Sequence, residues 1–235
     1  MDDELCVASV PIFSRLSRDQ QEQVAEVAKP LAAKPGEVLY HQGGAPAPLI
    51  VLHTGMDKLV PTSVDGRERV LQVMEPGDFV GEASLLSGGR PDHSAISVGK
   101  SNLCVFRRES FTGLLGAHPQ VGFEMMTALS RRLASAQDLL DQVSSSEVGT
   151  RVADYLLGLE AQRVTTSAAN GSFGPGAIEV RLPLPKKDVA SLLGTTPESF
   201  SRALARMVEA DVIVLDGARR IIITDTDQLA DLASA

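Results

Sequence analysis

The chain is poor in the residues that staple small scaffolds or hold metals. Of its 235 residues two are cysteine, Cys6 and Cys104, with no C-x-x-C spacing, which excludes a disulfide framework and leaves a zinc site without thiolates. Four histidines, His41, His53, His93 and His118, are scattered without ligand spacing, and no metal site is assigned. No run of about 18 apolar residues occurs, so no membrane-spanning helix is expected. The amino terminus, Met1, Asp2, Asp3 and Glu4, is acidic where a secretory signal is basic, which points to the cytoplasm. Phosphate-binding loops and spaced nucleophile–base pairs are also missing, so an enzyme is not expected and no catalytic residue is assigned.

Positive charge is scarce as well. The formal net charge is -8, awkward for a protein that would contact phosphates. Its distribution matters more than its sum. Between residues 181 and 220 seven basic residues (Arg181, Lys186, Lys187, Arg202, Arg206, Arg219, Arg220) face five acidic ones (Asp188, Glu198, Glu209, Asp211, Asp216). The acidity therefore lies mostly elsewhere, and any binding to nucleic acid should be strongly salt-sensitive.

What is present divides into three zones. Hydrophobic residues make up 43% and charged residues 22%, the balance of a globular protein, and the length allows one or two domains. After a short helix over residues 19–28, residues 36–107 hold brief apolar runs at 49–52, 70–73 and 103–106. Turn signals separate them at Pro35-Gly36, Gly43-Gly44, Asp65-Gly66, Pro76-Gly77 and Gly88-Gly89. Short strands at this spacing suggest a small antiparallel barrel or jelly roll. Asp65-Gly66 is the sharpest hairpin signal, since both residues tolerate positive φ. In the second zone, residues 119–143, Met126, Leu129, Leu133, Ala136, Leu140 and Val143 recur at steps of three and four. That is a coiled-coil seam; it points to a parallel dimer helix, with packing on the helix's own domain as the alternative. The third zone opens with a helix over residues 147–162 and a polar, glycine-rich loop over 165–176. A strand (177–182), two helices and a hairpin pairing 212–215 with 221–224 follow.

Residues 187–208 have the spacing of a helix-turn-helix. Ala190 is small where two helices approach, and Gly194 can take the left-handed conformation that ends the first helix. Thr196 caps the second helix, Pro197 suits its first position, and Phe200, Leu204 and Met207 form its inner face. With the hairpin behind it, the motif is a winged helix-turn-helix. Its second helix presents Glu198, Ser201 and Arg202 at i, i+3 and i+4, in the turns that enter the major groove. Arg202 matches guanine O6 and N7, Glu198 accepts from cytosine N4, and Ser201 reaches either kind of edge. Lys186, Lys187, Arg206, Arg219 and Arg220 are the expected phosphate contacts. The alternative is a helical hairpin on which Glu198 and Arg202 merely form an ion pair.

This order of parts resembles the CRP/FNR superfamily of bacterial transcription regulators. The segments that carry the resemblance are 52–58 (LHTGMDK), 75–82 (EPGDFVGE) and 198–202 (ESFSR). The resemblance implies an α+β fold. Residues 1–118 would be a double-stranded β-helix sensor domain like the cyclic-nucleotide-binding jelly roll, 119–145 a dimerisation helix, and 146–235 the winged helix-turn-helix. It also implies a homodimer on double-stranded DNA in contact with RNA polymerase. The Glu-x-x-Ser-Arg pattern is similar to the FNR branch, which implies TTGAT-like half-sites. Gly81 and Glu82 match the pair that holds a ribose in the family, but the arginine that neutralises a cyclic phosphate is replaced by His93, with Asp92 before it. Arg90, Ser94 and, on the long helix, Gln137 complete the candidate effector pocket. Cyclic AMP is therefore not expected. Nor is the iron–sulfur cluster of FNR-type sensors, because two cysteines cannot supply four ligands; no cofactor is assigned. A Cys6–Cys104 disulfide would close a loop of about a hundred residues, worth about 4–5 kcal/mol, and is the candidate redox gate. Against it stands Cys104 as a small buried hydrophobe. The competing function is a small-molecule or cyclic-nucleotide sensor module with weak DNA binding.

Overall fold

The computed structural model describes residue 7 and residues 10–145, 147–163 and 176–234. The chain divides into two compact units, with the boundary between Ser135 and Ala136. That boundary falls inside one long helix.

The first unit opens with a single helical turn at Pro11–Phe13, followed by α1 (Arg18–Val27). Its start is fixed by a reciprocal cap: the Gln20 amide donates to the Ser17 hydroxyl and the Ser17 N–H to the Gln20 side chain. Eight strands follow: β1 (Lys29–Ala33), β2 (Val38–Tyr40), β3 (Leu49–Thr54), β4 (Asp57–Val60), β5 (Gln72–Met74), β6 (Phe79–Val80), β7 (Ser94–Ser97) and β8 (Ser101–Phe106). The short helix α2 (Glu82–Ser87) stands between β6 and β7. The strands form two antiparallel four-stranded sheets, ordered β1-β8-β3-β6 and β2-β7-β4-β5. After β8 come α3 (Arg108–Ala117) and the long α4 (Pro119–Ser145).

The run of four apolar residues in β3 is explained by burial on both faces of its sheet. Ile50 and Leu52 join residues of both sheets, among them Leu59, Met74, Ala95 and Leu103, in one core. Leu49 and Val51 point the other way, into a core shared with Phe13, Val24, Phe79, Phe106, Phe111, Val121 and Met125. Phe106 lies at the middle of that second core, with ring centroids 5.7 Å from Phe13 and 5.5 Å from Phe111. Thus α1, α3 and the first turns of α4 cover the sheet.

In the second unit, α5 (Val148–Leu157) packs on α7 (Pro197–Glu209) and on α8 (Thr226–Ala233). Its sheet has the order β11-β12-β10-β9, built from β9 (Ala161–Arg163), β10 (Ile178–Arg181), β11 (Ile213–Asp216) and β12 (Arg220–Ile223). Helix α6 (Lys186–Leu192) precedes α7.

Three expectations are corrected. The helix expected over 147–162 stops at Leu157, capped by Gly158, and residues 161–163 pair as β9 with β10. Asp65-Gly66 does turn a hairpin, but as a three-residue loop. Ser63 and Arg67 are hydrogen-bonded across it, and Gly66 alone takes positive φ (77°) while Asp65 accepts from the Ser63 hydroxyl. The strand expected at 70–73 pairs as Gln72–Met74. The glycine-rich loop expected at 165–176 lies, up to residue 175, outside the described residues.

Candidate nucleic-acid interface

The turn between α6 and α7 is built from local signals. Gly194 adopts φ 62°, and its neighbour's amide, on Thr195, donates back to the Ala190 carbonyl, which closes α6. Thr196 Oγ1 accepts the Ser199 N–H at 3.2 Å and Pro197 occupies the first turn of α7. A buried arginine also holds the turn: Arg151 of α5, 7% exposed, donates through Nε to the Leu193 carbonyl at 3.2 Å. A cation at a helix carboxyl end is favourably placed against the helix dipole.

Helix α7 has two unlike faces. Phe200, Ala203, Leu204 and Met207 are buried, while Glu198, Ser201, Arg202 and Arg206 are exposed. Arg202 Nη2 donates to Ser199 Oγ at 2.8 Å and makes no ion pair with Glu198 among the described residues. The expected rival pairing is therefore not formed, and both side chains stay available. Lys187 is exposed and Lys186 half-buried at the start of α6. Arg219, exposed in the wing loop, donates to the Pro183 carbonyl at 3.2 Å. Arg220 departs from expectation. Its guanidinium is clamped between Asp216 at 2.7 Å and Glu179 at 2.8 Å, so it ties three strands of the wing together instead of standing ready for a phosphate.

On the first unit, the corner at residues 75–82 is set by backbone. Gly81 has φ 92°, and a Cβ there would lie 2.0 Å from the Pro48 carbonyl oxygen, so no side chain fits. Glu82 follows at the start of α2. Arg132 of α4 reaches this corner: Nη2 donates to the Phe79 carbonyl at 2.7 Å and lies 3.3 Å from Asp78, and Nη1 lies 3.6 Å from Glu82. The guanidinium also stacks 4.5 Å from the Phe79 ring centroid.

The other candidate pocket residues are engaged internally. Arg90 donates to the Gly43 carbonyl at 2.8 Å, and Ser94 Oγ accepts the Gln42 N–H at 2.9 Å. His93 contacts Asp92 through Nδ1 and the Tyr40 hydroxyl through Nε2, both at 2.6 Å. A carboxylate only accepts, so in a neutral imidazole Nδ1 carries the proton and Tyr40 donates to Nε2. Burial, with the nearby carboxylates of Glu82 and Asp92, pushes the Tyr40 phenol above its ordinary range and keeps it a donor. Gln137 is exposed on α4, in the second unit.

The sequence profile of the cyclic nucleotide-binding domain matches residues 30–118, and that of the Crp-like helix-turn-helix domain matches residues 150–232. A cyclic AMP receptor protein of Thermus thermophilus is 30% identical over 205 residues, which cover 87% of this chain and 88% of that protein. The chain belongs to the CRP/FNR family of transcription regulators. The fumarate and nitrate reduction regulatory protein of Escherichia coli is 27% identical over 215 residues, covering 92% of this chain and 82% of the relative. The structure of FixK2 from Bradyrhizobium japonicum, at 24% identity, shares the fold with a TM-score of 0.69, over 89% of this chain and 98% of that one. The family is one of DNA-binding regulators, not of enzymes. Among the described residues no helix is long and apolar enough to cross a membrane.

Of the two cysteines, Cys104 is buried on β8, packed in the core that also holds Val51 and Phe106. Cys6 lies outside the described residues. Ser199, Arg151, Tyr40 and Arg132 were not singled out by sequence reasoning. Helical spacing could have found Ser199, three residues before Arg202; the other three depend on contacts across the fold.

Proposed function

We propose that the protein is a cytoplasmic homodimer that reads a two-fold symmetric DNA site with TTGAT-like half-sites and adjusts contact with RNA polymerase. Glu198, Ser201 and Arg202 face the bases; Thr196, Lys186, Lys187, Arg206 and Arg219 hold the backbone. The observation that carries this reading is the exposed trio on the first turns of α7, opposite a face buried as far as Met207. Dimerisation along α4 is supported by Met126, Leu133 and Leu140, which stand seven residues apart and are 60%, 62% and 70% exposed. Seven-residue spacing of exposed apolar side chains suits a second helix. Selection of bound duplexes from a random pool tests the proposal. Recovery of a symmetric TTGAT-like consensus supports it, and recovery of random sequence favours the competing sensor module with weak DNA binding.

We further infer that the β-roll corner (Gly81, Glu82, Arg90, His93, Ser94) does not take a cyclic nucleotide. The groups that would cradle its phosphate are satisfied by Gly43, Gln42, Asp92 and Tyr40 instead. Cyclic AMP should leave the unfolding temperature unchanged; a rise of several degrees would contradict this. For the signal we propose redox gating through Cys6 and Cys104. In its favour, Val7, the chain neighbour of Cys6, is fully buried in the same apolar core as Cys104. Thiol labelling before and after mild oxidation, repeated with Cys6→Ser, decides it. Unchanged labelling with unchanged DNA affinity would remove the gate.

A further inference from the structure

We propose that Ser199 is the positioning residue for Arg202, holding its guanidinium in the pose that meets the base edge. This deepens, and rests on, the reading of α7 as the recognition helix. Three hydrogen bonds make a closed local network. The Thr196 hydroxyl donates to Ser199 Oγ at 3.2 Å, the Ser199 N–H donates back to Thr196 Oγ1 at 3.2 Å, and Arg202 Nη2 donates to Ser199 Oγ at 2.8 Å. A hydroxyl oxygen offers two acceptor lone pairs. Thr196 takes one and Arg202 the other, so the oxygen has no freedom to turn away from the guanidinium.

Ser199 sits half-buried between the exposed face of α7 and the buried Phe200, one turn before Arg202. Its backbone is already fixed by the helix cap. The oxygen therefore holds a long, exposed side chain from a rigid point. A guanidinium has five N–H donors. With one spent on Ser199, four remain, enough for the two-pronged contact with guanine O6 and N7. An arginine held in place before docking loses less rotamer freedom on binding than one that waves in solvent. Ser199 would thus sharpen discrimination at the guanine without touching a base.

The role is separable from folding. The Thr196 cap acts on the backbone N–H of residue 199, so Ser199→Ala leaves the cap intact and places a better helix former in the first turn. The test is a double-mutant cycle on the full chain: wild type, Ser199→Ala, Arg202→Ala and the double variant, with Ser199→Thr as the conservative rescue. Each is titrated with a duplex carrying two TTGAT half-sites, and with the same duplex after the G·C pair of both half-sites becomes A·T. Ser199→Ala should reduce the preference for the G·C duplex by about three- to tenfold per half-site. Ser199→Thr should restore it, and the slope of affinity against salt should not change. In the Arg202→Ala background, removing the Ser199 hydroxyl should do nothing more. If Arg202→Ala leaves the preference intact, the reading of α7 itself fails. If Arg202→Ala lowers the preference while Ser199→Ala leaves it unchanged, or lowers it equally in both backgrounds, the positioning role is overturned.

Discussion

Replacing Leu133 by glutamate should separate the proposed dimer. Leu133 is 62% exposed in the single chain, between Met126 and Leu140 on the same stripe of α4. Fully burying a leucine is worth about 1.5–3 kcal/mol. The exposed share of Leu133 is then worth about 1–2 kcal/mol per helix, and about 2–4 kcal/mol for the two copies in a dimer. Each 1.4 kcal/mol is about tenfold in affinity, so the dissociation constant should rise about 30- to 1000-fold, and more once two carboxylates face each other. Sedimentation equilibrium over a range of protein concentrations reads this directly. Arg131→Glu, an exposed change off the seam, is the control. If Leu133→Glu dimerises as tightly as the wild type, α4 is not the seam.

Three other perturbations follow from contacts within each unit. Tyr40→Phe removes the bond to His93 and should cost about 1 kcal/mol at neutral pH. The folded protein keeps the phenolic proton above the pH where the unfolded chain releases it, so wild-type stability falls as pH rises past about 10. Denaturant unfolding between neutral and alkaline pH should show a shallower fall for Tyr40→Phe, and an equal fall would contradict the assignment. Arg151→Met leaves the Leu193 carbonyl without its donor and should cost about 1–3 kcal/mol, read as a lower unfolding temperature and weaker DNA binding; unchanged values would show that the turn does not need it. Gly81→Ala forces a Cβ onto the Pro48 carbonyl at positive φ, and should cost at least about 1–3 kcal/mol or prevent folding of the β-roll. A soluble variant with wild-type melting would refute that packing argument.

The helix-turn-helix was legible because its signals are local. Gly194, Thr196 and Pro197 each act within a few residues, and α7 starts where they place it. The long helix α4 and its apolar repeat were legible for the same reason, since a helical repeat needs no partner to be read. By contrast β9 was hidden, because Ala161, Gln162 and Arg163 have no strand pattern and become a strand only by pairing with β10. Arg220 read as a phosphate contact until the wing brought Glu179, 41 positions earlier in the chain, against its guanidinium. The β-roll corner at residues 75–82 was half legible. Gly81 and Glu82 stand in an ordered motif, but the Tyr40–His93 bond and the reach of Arg132 to Phe79 each join residues 53 positions apart.

The most direct test of sequence-specific reading by α7 compares two duplexes of equal length over a range of salt, by fluorescence anisotropy with the full chain. One carries the TTGAT inverted repeat and the other the same bases scrambled. The repeat should bind at least about 1000-fold more tightly at the same salt, and Arg202→Ala should erase most of that gap while leaving the scrambled affinity unchanged. Equal affinities for the two duplexes, falling in parallel as salt rises, would contradict it.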